Sequence, residues 1–176
     1  MEKSKLEVVK SAALISVAEY LRTAYSPDCD YVDGEVLERN VGEKDHSRLQ
    51  RQLIRYFCTK EQEWNAFCFP EQRVQVAPRR FRVPDICLLL GQEPEEQIFR
   101  QPPFVCVEIL SRDDTLESIR AKIDDYLKFG VSYVWITNPR SRRAWIYTKD
   151  RVQEVKDGVL RTENPALTVP LAEVFA

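Results

Sequence analysis

FVCVEILSRDDTLESIRAKIDDYLKFGVSYVWIT, residues 104–137, sets the architecture. Its opening, Phe104-Val105-Cys106-Val107-Glu108-Ile109-Leu110, is apolar on both strand faces apart from Glu108, as in a strand covered on both sides. From about Thr115 to Phe129, Leu116, Ile119, Ile123, Tyr126 and Leu127 recur at the spacing of one helix face, and Gly130 closes the helix. Tyr133 to Thr137 then returns as a strand. This strand–helix–strand order implies a crossover unit within a mixed sheet, and hence an α/β fold.

Upstream, Val83 to Leu90 reads as another strand, preceded by Ala66 to Phe69 and Arg73 to Ala77, a pair interrupted by Pro70. The polar, proline-bearing stretch Gln92 to Pro103 reads as an exposed loop. A helix from about Lys44 to Lys60 buries Leu49, Leu53 and Phe57, which repeat every four residues. At 100° per residue His46 projects with them, away from a cationic stripe of Lys44, Arg48, Arg51 and Arg55. Asp33-Gly34 marks a hairpin turn between Tyr31 and Leu37, and Ser16-x-x-Glu19 is a capping box for a short helix ending near Ala24. Downstream, Ala144 to Thr148 faces Tyr133 to Thr137 across the turn Asn138–Ser141. A hairpin around Asp157-Gly158 and a short apolar tail follow.

The 176 residues are 44% hydrophobic, enough for one substantial core and too few for two. A single domain over 1–176 is expected, with a core of about 16–148 and a carboxy-terminal hairpin and tail at 149–176. No apolar run approaches the roughly 20 residues that cross a bilayer, and the amino-terminal segment lacks the layout of a secretory leader. A cytoplasmic protein without a membrane partner is expected. The five cysteines form no C-x-x-C pair and read as small buried hydrophobes, while His46 is the one histidine, which disfavours structural zinc. A net charge of −2 excludes a protein that coats nucleic acid nonspecifically, so any such contact uses a local patch. The stripe Lys44, Arg48, Arg51, Arg55 is a candidate, with a solvated helix face as the plain alternative.

Glu108 sits in a strand with no polar neighbour, and a buried carboxylate requires a cation, a hydrogen-bonding partner or a proton. Asp85 follows Pro84 at the head of Ile86-Cys87-Leu88-Leu89-Leu90, a place where the sheet rim can hold a carboxylate. Carboxylates from two neighbouring strands can share one hard divalent cation, magnesium or manganese. Lys122 lies between Ile119 and Tyr126 and borders the packed face of its helix. Its ammonium can reach toward the strand ends and stabilise charge on a phosphate. A structural ion pair for Glu108, a plain turn at Asp85 and a snorkelling Lys122 remain open.

Asp85 after Pro84, Glu108 in an apolar strand, Ser111 ending Val107-Glu108-Ile109-Leu110-Ser111, Lys122 in the next helix and Gly130-Val131-x-x-Val134-Trp135 beyond it resemble one family in this order. It is the Uma-type restriction endonucleases of the PD-(D/E)XK nuclease superfamily, and the likeness runs from about Ser16 to Thr148. The resemblance implies a restriction-endonuclease-like core, a central mixed β-sheet flanked by α-helices, with a metal site at Asp85 and Glu108. It also implies supporting roles for Glu35, after the Asp33-Gly34 turn, and for His46, which an ordinary core histidine would equally explain. In the superfamily's commonest pattern a lysine stands two residues after the glutamate; here that residue is Leu110, and Lys122 is the substitute. Arg82 and Ser111 are candidates to contact phosphate or orient the carboxylates.

The expected activity is magnesium- or manganese-dependent hydrolysis of DNA phosphodiesters by Asp85, Glu108 and Lys122, with the stripe or Arg79, Arg80 and Arg82 holding the backbone. The competing readings are a nuclease-fold binding module without catalysis and hydrolysis of a small phosphoester. Homodimerisation is expected by analogy, through an exposed apolar tail from Val169 to Phe175.

Overall fold

The computed structural model describes residues 13–39 and 42–175. Most of the amino-terminal segment read for a leader lies outside them. In chain order the described elements begin with α1 (Val17–Arg22), the hairpin β1 (Asp30–Val32) and β2 (Glu35–Leu37), and α2 (Lys44–Trp64). Five strands follow: β3 (Ala66–Pro70), β4 (Val74–Ala77), β5 (Arg80–Arg82), β6 (Ile86–Leu90) and β7 (Val105–Ile109). Then come α3 (Leu116–Phe129), β8 (Tyr133–Asn138), β9 (Arg143–Tyr147), β10 (Val152–Glu154), β11 (Val159–Arg161), β12 (Thr168–Pro170) and α4 (Leu171–Val174). No helix among the described residues is long and apolar enough to cross a membrane.

The main sheet is mixed and six-stranded, in the order β10-β9-β8-β7-β6-β3. Only β7 and β8 run parallel, joined through α3 as the crossover reading expected; every other pair in it is antiparallel. Alternation along β7 divides the core. Val105, Val107 and Ile109, with Ile86 and Leu88 of β6, pack against Leu49, Leu53 and Phe57 of α2. Cys106, Cys87 and Leu89 point the other way, against Ile123 and Tyr126 of α3 and Val74 and Val76 of β4. Burial on both faces is why β7 carries no polar residue but Glu108.

α3 is delimited by local chemistry. Thr115 Oγ1 accepts from Ser118 N at its start while Ser118 Oγ accepts from Thr115 N, and Gly130 ends it at φ 111°. Such reciprocal caps satisfy backbone donors that have no partner within the helix. The early hairpin turns on Asp33 (φ 52°) and Gly34 (φ 114°), the two left-handed positions that an Asp-Gly pair suits.

Several expectations are corrected. A second sheet, antiparallel in the order β2-β1-β5-β4, stands beside the first; its strand β5 has only Phe81 as an apolar marker, which packs with Tyr20 and Tyr31 and seats α1. Asp157-Gly158 is not a hairpin turn: β10 pairs with β9, β11 pairs with β12, and the dipeptide links two sheets. The tail is not exposed either. Val169, Leu171 and Val174 are buried in the core cluster that includes α2, together with Leu160 and Leu167, and α4 packs on α2. The dimer contact read from the tail thereby loses its apolar residues. Leu116 is 93% exposed, since it opens α3 and the buried positions of that helix begin at Ile123.

Candidate active site

Asp85 immediately precedes β6, and the antiparallel register Ile86↔Val107 continues to place it opposite Glu108 of β7. Directly opposed residues share a sheet face with Cβ atoms about 4.5–5.5 Å apart. Both side chains are buried, at 4% and 2% exposure, and both line one cleft of about 130 Å³ together with Arg39, His46, Gln50 and Lys122.

Each carboxylate is held by a different set of groups. Asp85 Oδ1 accepts from the Arg39 guanidinium. Its Oδ2 accepts from the Ile109 backbone N–H (2.7 Å) and lies 3.2 Å from His46 Nε2. The Asp85 carbonyl accepts from Gln50 Nε2 (3.0 Å) and from the Glu71 N–H (3.2 Å), which pins the backbone at the strand entry. On Glu108, Lys122 Nζ donates to Oε2 (2.8 Å) and the Tyr126 hydroxyl to Oε1 (2.6 Å). Arg39 Nη1 is buried with no hydrogen-bond partner among the described residues; Glu71 Oε1 lies 3.6 Å away.

The same contacts set the ionisation of the site. Burial alone would raise the Asp85 pKa, yet the His46 bond and the Arg39 charge outweigh it and hold the group well below the usual carboxylate range. Burial pushes Glu108 up, with Lys122 opposing it. Burial would lower both His46 and Lys122, but Asp85 raises the first and Glu108 the second, so Lys122 stays cationic.

The donor set fits a hard divalent cation. Among the described residues no three His, Cys, Asp or Glu side chains gather into a self-sufficient metal cage. Two carboxylates facing one cleft instead match cations that keep several waters and take further oxygens from a phosphate. A carboxylate offers about four acceptor directions; Asp85 uses three and Glu108 two. A cation held there would share Asp85 with Arg39 and Glu108 with Lys122.

Thus Asp85, Glu108, Lys122 and His46 are brought together. Ser111 also lines the cleft, its N–H and hydroxyl both donating to Asp114 Oδ2 (2.7 and 2.9 Å). Glu35 is not brought there: it is exposed on β2, outside the cleft lining. Arg82 is also outside that lining, its guanidinium bonded to Asp30 and Asp125. The stripe Lys44, Arg48, Arg51 and Arg55 is exposed as expected, but 100° per residue sets it on the side of α2 opposite His46. Sequence reasoning missed Arg39, Gln50, Glu71 and the Tyr126 hydroxyl. Only Tyr126 left a signal, since it lies four residues after Lys122 on the same helix face.

No curated protein matches the chain. Among solved structures, one of "a putative nuclease belonging to DUF820" from Anabaena variabilis superposes with a TM-score of 0.78 at 21% identity, covering 92% of this chain and 97% of that one. At that identity the likeness establishes the fold. The Uma2 family model, described as "Putative restriction endonuclease", matches residues 17–173, and the chain belongs to that family.

Proposed function

We propose that the protein is a cytoplasmic endonuclease that hydrolyses DNA phosphodiesters with Mg²⁺ or Mn²⁺ held by Asp85 and Glu108. The reading is carried by two buried carboxylates, opposed in register, meeting a cationic lysine in one cleft. Family membership supports the nuclease class, and five free thiols suit a reducing compartment.

The Ile109 N–H and Arg39 orient the Asp85 carboxylate toward the cleft, while Tyr126 fixes one oxygen of Glu108 and leaves the other to Lys122. When bound, the cation supplies Lewis-acid stabilisation of charge on the phosphoryl oxygens and helps acidify the attacking water. Lys122 adds a fixed positive charge at the same place, taking the part that Leu110, half-buried just after β7, cannot. The hydrogen bond from His46 helps keep Asp85 ionised.

The test is nicking of supercoiled plasmid, beside single-stranded DNA and RNA, with and without Mn²⁺. Metal-dependent nicking that disappears in Glu108→Gln supports the reading. Cleavage by that variant at the wild-type level, in a preparation free of other nucleases, removes it.

One observation favours a binding module without catalysis: Arg39 and Lys122 already neutralise the two carboxylates. Calorimetric titration with Mn²⁺ separates the two. Binding that is lost in Asp85→Asn favours the enzyme, and no binding by the wild type favours the module. Cutting both strands of a duplex calls for two such sites, so a homodimer belongs to this proposal, and light scattering tests it.

A further inference from the structure

The acidic cleft is bordered by a band of arginines that the reading above does not use. In the turn between β8 and β9, the N–H groups of Arg140 and Ser141 both donate to Asn138 Oδ1 (3.0 and 3.1 Å), which sets the turn. Arg140 Nη2 donates to the carbonyl of Ser111, a residue of the cleft wall, and its Nη1 donates to Glu43 Oε2, each at 3.3 Å. Arg112 approaches the other oxygen of Glu43 at 3.9 Å and is 77% exposed. Beyond Arg140, a groove of about 270 Å³ continues along the other flank of α2, with Arg48, Arg140 and Arg142 set around Asp45, Leu49 and Pro139. Neither Arg48 nor Arg142 has an ion-pair partner among the described residues. Groove and cleft therefore lie on either side of the first turn of α2, and Arg140 and Arg112 bridge them.

We propose that Arg48, Arg142 and Arg140, with Arg112, form the track that holds the phosphate backbone of one substrate strand and leads it to Asp85 and Glu108. The proposal rests on the nuclease reading and identifies the surface by which that activity grips its substrate. Guanidinium forks bind phosphate and carboxylate oxygens two at a time alike, so the nuclease reading and the spacing favour a nucleic-acid strand over an acidic peptide. The dimensions agree: a helix is about 10–12 Å across, and phosphates of one strand recur about every 3.4 Å of duplex axis, so the crossing accommodates about three of them. The four arginines outnumber the two carboxylates among them, Glu43 and Asp45, so the band is cationic and complements a phosphate backbone.

The test is fluorescence anisotropy of a labelled DNA duplex in EDTA, over a salt series, with the full chain. Each phosphate contact removed should flatten the slope of log affinity against log salt by about 0.9, so Arg48→Gln/Arg142→Gln should lose roughly two and the addition of Arg140→Gln roughly three. The double variant spares Arg140 and its bonds to Ser111 and Glu43. Mn²⁺ calorimetry should report an unchanged cation site in it, which excludes misfolding. A control, Lys44→Gln/Arg51→Gln/Arg55→Gln on the outer stripe, should keep the wild-type slope. If the control flattens the slope and the groove variant does not, the track is overturned while the nuclease reading stands. If the wild type binds no duplex at all but binds polyglutamate through these arginines, the surface serves an acidic protein and both proposals fall.

Discussion

Arg82 and Arg39 are both arginines buried against aspartates, at 5% and 9% side-chain exposure, yet their surroundings differ in one respect. Arg82 is closed in. Its guanidinium donates to Asp30 Oδ2 (2.9 Å) and to Asp125 Oδ2 (2.8 Å); the remaining oxygens accept from the Val83 N–H and from Arg80 Nη1. This cluster ties β1 and β5 of the second sheet to α3. Arg39 holds Asp85 with one arm only, its Nη1 has no hydrogen-bond partner among the described residues, and it faces a cleft. A buried donor without a partner costs about 1–3 kcal/mol, tolerable where water or a ligand can reach it. Complete pairing suits a cluster that holds the fold together, and an unpaired arm facing a cleft is what the proposed active site would use.

The largest expected effect separates the two clusters by function. Glu108→Gln should lower metal-dependent nicking about a thousand-fold or more, roughly 4 kcal/mol of transition-state stabilisation, while the fold is kept at a lower melting temperature, because the amide oxygen still accepts from Tyr126 but the buried Lys122 loses its anion. Arg82→Met should do the reverse. Leaving Asp30 and Asp125 buried without their cation should destabilise the protein by about 3–5 kcal/mol in urea unfolding, with Mn²⁺ affinity of the folded protein unchanged.

Arg39→Met sharpens the contrast. Water entering the cleft can solvate Asp85, so the loss of stability should be smaller, about 1–2 kcal/mol. Mn²⁺ should bind more tightly by calorimetry, because the cation competing for Asp85 is gone. A loss as large as that of Arg82→Met would mean that the unpaired arm of Arg39 makes no difference, and the distinction between the clusters would fail.

The two clusters also differ in how far the sequence betrays them. Glu108 was legible because it interrupts an unbroken apolar strand, and Lys122 because helical spacing set it beside Ile119 and Tyr126. Asp85 was legible from Pro84 and the apolar run behind it. Those signals are local. The ion pairs of Arg82 span 43 and 52 residues and that of Arg39 spans 46, and no periodicity encodes which distant charge a side chain will meet. Three-residue strands such as Arg80–Arg82 are too short for alternation to declare them. The spacing of Val169, Leu171 and Val174 showed an apolar face without telling whether this chain or a second copy covers it.

His46 carries the smallest and most specific effect. Burial would lower its pKa, but the bond to Asp85 raises it above the ordinary imidazole value of 6.5. A group whose folded pKa exceeds its unfolded one contributes stability that is full below the unfolded value and disappears as pH rises through the folded one. Asp85 runs the other way: its contribution is present above the ordinary value of 3.8 and is lost as pH falls toward the depressed one. The pair therefore stabilises most between about 4 and 6.5, set by those two reference values. In EDTA at fixed ionic strength, wild-type urea midpoints should decline as pH rises above 6.5, and His46→Gln should flatten that decline. Arg82→Met, whose cluster contains no histidine, should run parallel to the wild type. A constant offset between His46→Gln and wild type over the whole range would mean that the imidazole meets Asp85 uncharged, and the open cluster would then hold one cation fewer than its geometry implies.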